Sequence, residues 1–223
     1  MNDKNTQEIE LTPELVIRAY EAGIFPMSED EHSSGVFWVS PDKRGIIPLE
    51  NFHISKSLLK EIKKNKYQIR IDNDFDAIIH GCANFGTERK TTWINSDIIN
   101  VYRQLFKQKI CHTIEVWDKN QLIGGLYGLA LNGAFFGESM FHTVSNASKI
   151  ALFCLIKRLQ FGGYSLLDTQ FITPHLASLG AIEIEREEYE TLLFQSQHIK
   201  ADFYRLSGGN TSLDCLQSSS HTS

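Results

Sequence analysis

Little in this sequence points to a metal, a disulfide or a membrane. The four cysteines, Cys82, Cys111, Cys154 and Cys215, are far apart and form no CxxC pair, which excludes the usual spacing of a zinc knuckle or a disulfide framework. No apolar run approaches the roughly 18 residues that a membrane-spanning helix needs, and residues 1–10 are polar. We therefore expect a cytoplasmic protein that uses no metal and no cofactor.

Positive charge is also scarce, but it is concentrated in one place. The net charge of −5 argues against indiscriminate binding of nucleic acid, although it allows a local basic face. Such a face is predicted on a helix at residues 53–65, where four lysines face a single acidic residue: Lys56, Lys60, Lys63 and Lys64. The run is either a phosphate-binding surface or an ordinary solvated helix face, and the charge pattern leaves both open.

The chain is long enough for one core with a smaller companion unit. Thr12, Pro13 and Gly23 predict a helix at residues 12–22, with a cap, a first-turn proline and a left-handed exit. A short strand at 36–41 and a connection at 44–49 follow, so residues 1–44 are predicted to form a small N-terminal module. Residues 45–206 are predicted to form the main domain, and the polar residues 207–223 a disordered tail.

The main domain is predicted to be α+β, with a mixed, largely antiparallel sheet. Asn132 and Gly133 form a strong turn signal between two apolar runs, which predicts a hairpin over residues 122–141. A helix at 146–160 and a strand at 164–171 follow, an order similar to acyltransferases of the GNAT type. The five glycines at 124, 125, 128, 133 and 137 indicate a bulge or a close approach of the backbone.

Glu138 is the most informative residue, because it lies among aromatic side chains, where burial disfavours a charge. Such a carboxylate is either paired or functional. Strict alternation along a strand would place Phe136, Glu138 and Met140 on one face of the sheet. The same rule places Asp168 and Gln170 on one face of the strand at 164–171. These polar residues form either a structural network or, as we prefer, a catalytic group with Glu138.

Short motifs spread over residues 12–193 occur in an order typical of one family. They are Tyr20-x-x-Gly23-Ile24-Phe25-Pro26, Trp38-x-Ser40-Pro41, His53-Ile54-Ser55-Lys56-Ser57, Thr92-Trp93-Ile94, Gly124-Gly125-Leu126-Tyr127-Gly128, Gly137-Glu138-Ser139-Met140-Phe141, Asn146-Ala147-Ser148-Lys149, Asp168-x-Gln170 and Ser178-Leu179-Gly180-Ala181. Together they resemble the leucyl/phenylalanyl-tRNA–protein transferase family. The resemblance implies transfer of leucine or phenylalanine from aminoacyl-tRNA to proteins that begin with arginine or lysine, which marks those proteins for degradation by the N-end rule.

The resemblance also implies roles for individual residues. Asp168 and Gln170 would be catalytic, with Asp168 polarising the amide of Gln170, and Glu138 would hold a substrate ammonium. The further assignments are Trp93, Met27 and Tyr20 at the 3′ end of the tRNA, Leu126, Phe135 and Met140 around the amino-acid side chain, and Lys56, Lys60, Lys63 and Lys64 on tRNA phosphates. Met27 stands where many members have a tryptophan, which weakens it as a stacking platform. We expect a monomer.

Three other functions compete with this interpretation. A coenzyme A-dependent N-acetyltransferase of the GNAT type fits the order of elements, but no Gly-rich pyrophosphate loop precedes the helix at Asn146. A serine hydrolase would use Ser139, Asp168 and His175 in that chain order, yet Phe141 occupies the position of the second glycine in GxSxG. A tRNA-binding module without catalytic activity would keep the basic helix and need no catalytic group.

Overall fold

A computed structural model describes residues 10–84, 92–206, 211, 214 and 215. The helices of these residues are α1 Pro13–Glu21, α2 Lys56–Lys63, α3 Phe75–Ala83, α4 Ser96–Lys107, α5 Ala147–Gly162, α6 Pro174–Ala177 and α7 Arg186–Ser196. The strands are β1 Phe25–Met27, β2 Phe37–Val39, β3 Lys43–Ile46, β4 Gln68–Ile71, β5 Cys111–Asp118, β6 Gln121–Leu131, β7 Ala134–His142, β8 Leu166–Gln170 and β9 Ile182–Glu185. None of the described helices has the length and apolar character to cross a membrane.

Seven of these strands form one sheet in the order β4-β5-β6-β7-β8-β3-β9, while β1 and β2 form a separate antiparallel pair. Neighbours in the large sheet are antiparallel except β7 and β8, which are parallel. Two apolar cores cover its faces, one under α2 and α5 and the other under α1, α3, α4 and α7. The predicted α+β class with a mixed, largely antiparallel sheet is confirmed.

Local signals set most element boundaries. Thr12 Oγ1 caps α1 by accepting a hydrogen bond from the Leu15 amide at 3.2 Å, and the turn Asn132–Gly133 joins β6 to β7 as predicted. The sequence also predicts Ser96 as the cap of α4 and Asn146 or Ser145 as the cap of α5. Instead, Asn95 caps α4, and Asn146 begins α5 in a left-handed conformation with no capping hydrogen bond to its side chain.

The predicted connection at residues 44–49 is also wrong at its start, because β3 is a strand paired with β8 on one side and β9 on the other. Four residues that include a glycine and two cations have no period-two pattern, so only the neighbouring strands define this strand. The predicted boundary between residues 44 and 45 therefore falls inside β3. The sequence further predicts a polar loop at residues 84–91. This loop and the tail predicted at 207–223 lie almost entirely outside the described residues.

A β-bulge interrupts the alternation that the sequence predicts for β7. Tyr127 lies opposite Ser139 and Gly128 lies opposite Gly137, so Glu138 is an extra residue on its strand. Phe136 consequently packs in the core under α3 and α4, whereas Met140 packs in the core under α5. The prediction of a common face for Phe136 and Met140 is wrong for this reason.

A second bulge lies in the neighbouring strand. Gly45 pairs with Gln170 and Ile46 pairs with Asp168, which leaves Thr169 as the extra residue of β8. The parallel pairing of β7 with β8 covers three residue pairs and ends at Phe136 and Asp168. Beyond this point each strand continues with a bulge and no longer pairs with the other. The sheet is thus open between the carboxyl ends of its two parallel strands.

The predicted close approach at the strand glycines is present where β6 meets β7. A Cβ atom on Gly128 would collide with the carbonyl oxygen of Phe136 and the ring of Phe135. On Gly124 it would lie 2.7 Å from the Cβ atom of Ala147 in α5. Gly137 differs, since a Cβ atom there would meet only the carbonyl oxygen of Asp168, at 3.5 Å.

These contacts predict that alanine is destabilising at Gly128 but tolerated at Gly137, the residue paired with it. Gly128→Ala forces atoms into the backbone of β7, and we expect it to lower the free energy of unfolding by about 1–3 kcal/mol. Gly137→Ala, the matched control on the facing strand, makes ordinary contact and should change it by less than about 0.5 kcal/mol. Urea denaturation of both variants measures the difference. Equal losses of stability in the two variants would show that the close contact between Gly128 and β7 does not account for the glycine at that position.

Candidate active site

A cleft of about 520 Å³ opens where β7 and β8 part. Its described lining combines aromatic and polar side chains: Phe25, Pro26, Met27, Trp93, Glu138, Ser139, Met140, Thr169, Gln170, Phe171, Thr173, Pro174, His175 and Leu176. A smaller apolar cavity of about 90 Å³ is lined mostly by leucines. It shares five residues with the cleft: Glu138, Ser139, Met140, Thr169 and Leu176. Both lie at the carboxyl ends of the parallel strands, the usual position of ligand sites in sheets with such strands.

Below the cleft lies an ion pair between Arg44 of β3 and Asp168 of β8. The Arg44 side chain is 2% exposed and that of Asp168 is 0% exposed, and the guanidinium donates to both carboxylate oxygens at 2.7–3.2 Å. The guanidinium carbon lies over the ring of Phe25 at 4.6 Å and over that of Tyr189 at 4.5 Å. Arg44 also donates to the carbonyl oxygen of Gly23 at 2.9 Å. Excellent geometry of this kind is what a buried ion pair requires.

The remaining hydrogen bonds of Asp168 determine the conformation of Gln170. Tyr189 donates its hydroxyl to Asp168 at 2.6 Å, and the backbone N–H of Gln170 donates to Asp168 at 2.7 Å. Gln170 adopts a left-handed conformation with φ of 59°, which is uncommon for glutamine and is found where surrounding contacts enforce it. Asp168 thus contacts the backbone of Gln170, not its amide.

Gln170 lines the cleft, and its side-chain amide has an N–H group without a hydrogen-bond partner among the described residues. The residue is 7% exposed and lines the cleft. Its Nε2 atom is buried and has no hydrogen-bond partner among the described residues. Because an unpaired buried donor is costly, such an atom is typical of a site that a ligand completes.

Glu138 has a different environment from Asp168. Tyr20 donates its hydroxyl to Glu138 at 2.6 Å, and the Tyr20 hydroxyl also lies 2.8 Å from that of Tyr102. Burial raises the pKa of Glu138 to about 8, against the opposing effect of the hydrogen bonds from the two tyrosines. The protonated form of this carboxyl group is therefore favoured more than in an exposed glutamate. An ammonium bound beside it would favour the ionised form.

Four residues predicted to contact the tRNA end or the amino-acid side chain line the cleft or the apolar cavity, whereas Tyr20 and Phe135 are buried beneath them. Met27 and Trp93 line the cleft, and Leu126 and Met140 line the apolar cavity. Tyr20 is 0% exposed and reaches the cleft only through Glu138. Phe135 is also fully buried and stacks on Phe203 at 5.8 Å between ring centres, in the core under α5.

The four lysines of α2 are all exposed. Lys64 pairs with Glu61 at 2.6 Å, and the other three form no ion pair with a described carboxylate. The segment that leads into α2 adjoins the end of α6, since the His53 amide donates to the carbonyl oxygen of Leu179 at 3.0 Å. The basic helix therefore begins beside an element that lines the cleft.

The sequence analysis does not predict three residues that contact the carboxylates of the site or their partners: Arg44, Tyr102 and Tyr189. Arg44 occupies a segment predicted as a connection. Tyr102 is one of the apolar residues whose helical spacing predicts α4, a pattern that indicates only a core position. Asp168, the residue that a serine hydrolase would need beside a histidine, is instead bound by Arg44 and Tyr189. A catalytic triad of Ser139, His175 and Asp168 therefore has no support in the geometry.

These features define a class of protein: an α+β fold with its ligand cleft where two parallel strands part inside a mixed sheet. The sequence model of the leucyl/phenylalanyl-tRNA protein transferase matches residues 46–194, and that of the N-terminal domain of the same enzyme matches residues 9–42. Since these matches span most of the chain, the protein belongs to the leucyl/phenylalanyl-tRNA–protein transferase family.

Individual relatives agree with this membership. The leucyl/phenylalanyl-tRNA–protein transferase of Afipia carboxidovorans is 47% identical over 206 residues, which cover 92% of this chain and 91% of that protein. The protein of the same name from Roseobacter denitrificans is 50% identical over 193 residues, 86% of this chain and 90% of the relative. Among solved structures, L-PGS from Bacillus licheniformis has a TM-score of 0.43 and 10% identity over 71% of this chain and 51% of its own, a likeness too weak to carry an argument.

The ion pair under the cleft predicts a large effect of a single truncation. Arg44→Ala leaves the Asp168 carboxylate buried without its partner, and we expect a loss of about 3–5 kcal/mol in the free energy of unfolding. Arg103→Ala is the matched control, because Arg103 pairs with Asp76 at 2.8 Å on the surface and exposed pairs contribute about 0–1 kcal/mol. Chemical denaturation measures both. Similar losses for the two variants would contradict a special contribution of the buried pair.

Proposed function

We propose that this chain transfers leucine or phenylalanine from aminoacyl-tRNA to the N-terminal arginine or lysine of acceptor proteins. The transfer forms a peptide bond and marks the acceptor for degradation. The observation that carries the proposal is the cleft between β7 and β8, which Glu138 and Gln170 line and which adjoins an apolar cavity, in a chain of this family.

The reaction requires that the two substrates be oriented and that protons be transferred during attack and departure. An aminoacyl ester is already activated, so a neutral amine attacks it once the two are held in the right orientation. The tetrahedral oxyanion must then be stabilised while the amine loses a proton. When this intermediate collapses, the ester C–O bond breaks, and the ribose oxygen of the tRNA leaves and takes up a proton. None of these steps requires a group that lies outside the side chains of the cleft.

Gln170 is assigned to the reacting centre. Its unpartnered amide N–H group can donate to the developing oxyanion, while its amide oxygen steers the proton of the attacking amine. Asp168 would act through the backbone, because it holds Gln170 in the left-handed conformation that aims this amide at the cleft. Arg44 in turn would hold Asp168 in place.

Glu138 is assigned to the substrate ammonium. Its pKa of about 8 lies close to that of an α-amino group, about 7.7–8.0. A carboxyl group so matched can hold the ammonium form and accept its proton with little change in free energy. Tyr20 and Tyr102 support Glu138 from below, which gives Tyr20 a role in the site without direct contact with tRNA.

The rest of the cleft fits the two ends of the donor. The apolar cavity beside Leu126 and Met140 would bind the leucine or phenylalanine side chain. Phe135 would not contact that side chain, because it is buried in the core and does not line the cavity. Trp93 and Met27, which line the cleft, would contact the terminal adenosine. The exposed lysines of α2 would bind phosphates of the acceptor stem.

We also assign the chain a GNAT-like catalytic domain at residues 45–206, preceded by a small module at residues 1–44, and a monomeric state. The opening between parallel strands β7 and β8 supports the GNAT-like assignment. The coenzyme A-dependent acetyltransferase remains the second candidate on fold alone. Coenzyme A binding would call for a Gly-rich pyrophosphate loop before α5. The sequence has no such loop there, and α5 instead begins at Asn146 in a left-handed conformation.

Direct assay tests the proposed function. Purified protein, leucyl-tRNA and a peptide that begins with arginine should yield a leucylated peptide, with no coenzyme A present. The same peptide with an acetylated N-terminus is the control and should remain unmodified, because its nitrogen is no longer nucleophilic. A folded protein that leaves the free peptide unmodified in the presence of intact leucyl-tRNA rules the proposal out.

The role of Gln170 predicts a loss in turnover rather than in tRNA binding. Gln170→Asn keeps a residue that tolerates the left-handed conformation but withdraws the amide by one methylene. We expect kcat to fall about 100-fold or more with tRNA affinity within about twofold of the unmodified protein. Gln195→Asn, an exposed change on α7, is the control. Equal losses in kcat and in tRNA affinity would show that Gln170 contributes to tRNA binding and has no separate role in the chemical step.

A further inference from the structure

One large aromatic side chain of the cleft, that of Phe171, is open to solvent. It is 45% exposed, lines the cleft and directly follows Gln170 in the chain. The proposed reaction gives a task to Gln170 but none to Phe171. An exposed ring next to the group that steers the attacking amine is in a position to contact the acceptor.

A tight turn places Phe171 on the same wall of the cleft as Gln170. Consecutive residues of a regular strand point to opposite faces, yet both of these residues line the cleft. The backbone N–H of Phe171 donates to the carbonyl oxygen of Thr169 at 2.7 Å, which closes a three-residue turn around the left-handed Gln170. The Cα atoms of Gln170 and Phe171 are about 3.8 Å apart, as across any trans peptide.

Two contacts hold Phe171 in this position. A Cβ atom on Gly45 would lie 2.7 Å from the carbonyl carbon of Phe171, so the backbone of Phe171 packs directly on β3 at a residue without a side chain. The ring of Phe171 meets that of Phe25 nearly at right angles, with 5.6 Å between ring centres, an arrangement that aromatic pairs favour. The exposed ring is therefore preorganised, and a ligand that binds on it does not have to order it first.

The aromatic cluster that includes Phe171 already holds one cation. The guanidinium carbon of Arg44 lies 4.6 Å from the centre of the Phe25 ring and 4.5 Å from that of Tyr189. A cation over the face of an aromatic ring is attracted by the quadrupole of the ring. Phe25 is only 4% exposed, whereas Phe171 is accessible to a cation that enters the cleft from outside the protein.

The acceptor of the proposed reaction supplies such a cation. Its first side chain branches from the carbon that bears the attacking amine and carries a positive charge at the end of a flexible methylene stem. Glu138 is the only carboxylate among the described residues that line the cleft, and the proposed reaction already assigns it to an α-ammonium group. The face of a ring attracts an ammonium and a guanidinium alike, whereas a carboxylate fork favours arginine. A ring therefore suits an acceptor that begins with either residue.

We propose that Phe171 is a specificity-determining residue, the ring of which binds the charged end of the acceptor's first side chain through a cation–π interaction. This inference rests on the proposed function, which supplies an acceptor that begins with arginine or lysine. A base of the tRNA is the competing occupant, since bases also stack on aromatic rings. The acceptor is favoured because Phe171 adjoins Gln170, while two other residues of the cleft, Trp93 and Met27, are assigned to the adenosine.

Two acceptor peptides that differ in the charge of the first side chain test the assignment. One begins with arginine and the other with citrulline, in which a neutral urea group replaces the guanidinium. The unmodified protein should have the higher kcat/KM for the arginine peptide. Phe171→Leu keeps an apolar side chain but removes the ring, so it should raise KM for the arginine peptide about fivefold. Its kcat, its KM for leucyl-tRNA and its KM for the citrulline peptide should stay within about twofold of the unmodified values.

A conservative variant and a distant phenylalanine complete the design. Phe171→Tyr retains an aromatic face and should retain the preference for arginine over citrulline. Phe194→Leu removes a ring that is 64% exposed on α7 and does not line the cleft, so it should change none of these constants.

Three results would overturn the assignment. Equal effects of Phe171→Leu on the two peptides would show that the ring acts through packing and not through the charge of the acceptor. A higher KM for leucyl-tRNA with an unchanged preference for arginine would identify a base of the tRNA as the occupant. An unmodified protein that uses the arginine and citrulline peptides equally well would leave no charge preference for Phe171 to determine.

Failure of the proposed function would look different. If the unmodified protein leucylates neither peptide, calorimetric binding of the same two peptides still tests Phe171. The assignment then requires that the arginine peptide bind about fivefold more weakly to Phe171→Leu than to the unmodified protein and that the citrulline peptide bind equally to both. Absence of arginine-peptide binding to the unmodified protein, or equal affinities of the two proteins for that peptide, would eliminate the site.

Discussion

The buried pair of Arg44 and Asp168 connects nearly every part of the structure that surrounds the cleft. It joins β3 to β8 across 124 positions in sequence, holds the exit of α1 through the Gly23 carbonyl and fixes α7 through Tyr189. Each charge is tolerated inside the protein only because the other is present with its hydrogen bonds satisfied. The N-terminal segment and the main sheet are therefore coupled at the base of the cleft.

The cleft itself follows from how two strands end. Parallel strands leave a sheet at the same edge, and here they separate after three paired residues. Each then adds a bulge, at Glu138 in β7 and at Thr169 in β8. A bulge redirects the side chains that follow it, so Glu138 meets Tyr20 on one face while Met140 turns to the apolar cavity on the other. The divergence and the bulges together produce a site in a sheet that would otherwise be closed.

Most helices and strands could be predicted because their signals are local. Thr12 and Pro13 begin α1, Asn132 and Gly133 turn β6 into β7, and apolar periodicity marks α4. What could not be predicted depends on distant partners. Nothing near Arg44 in sequence indicates Asp168, and a bulge has no composition that distinguishes it from a regular strand. The predicted face of Met140 and the predicted strand-free segment at 44–49 were wrong for these non-local reasons.

The two carboxylates of the site differ because their neighbours differ, although each is buried. Asp168 forms an ion pair with the guanidinium of Arg44, whereas Glu138 has hydroxyl partners and a pKa of about 8 because burial outweighs them. The charge of Asp168 further favours the protonated form of Glu138, and Arg44 opposes it. The ion pair at the base of the cleft thus fixes the geometry of Gln170 and also helps to set the proton affinity of Glu138.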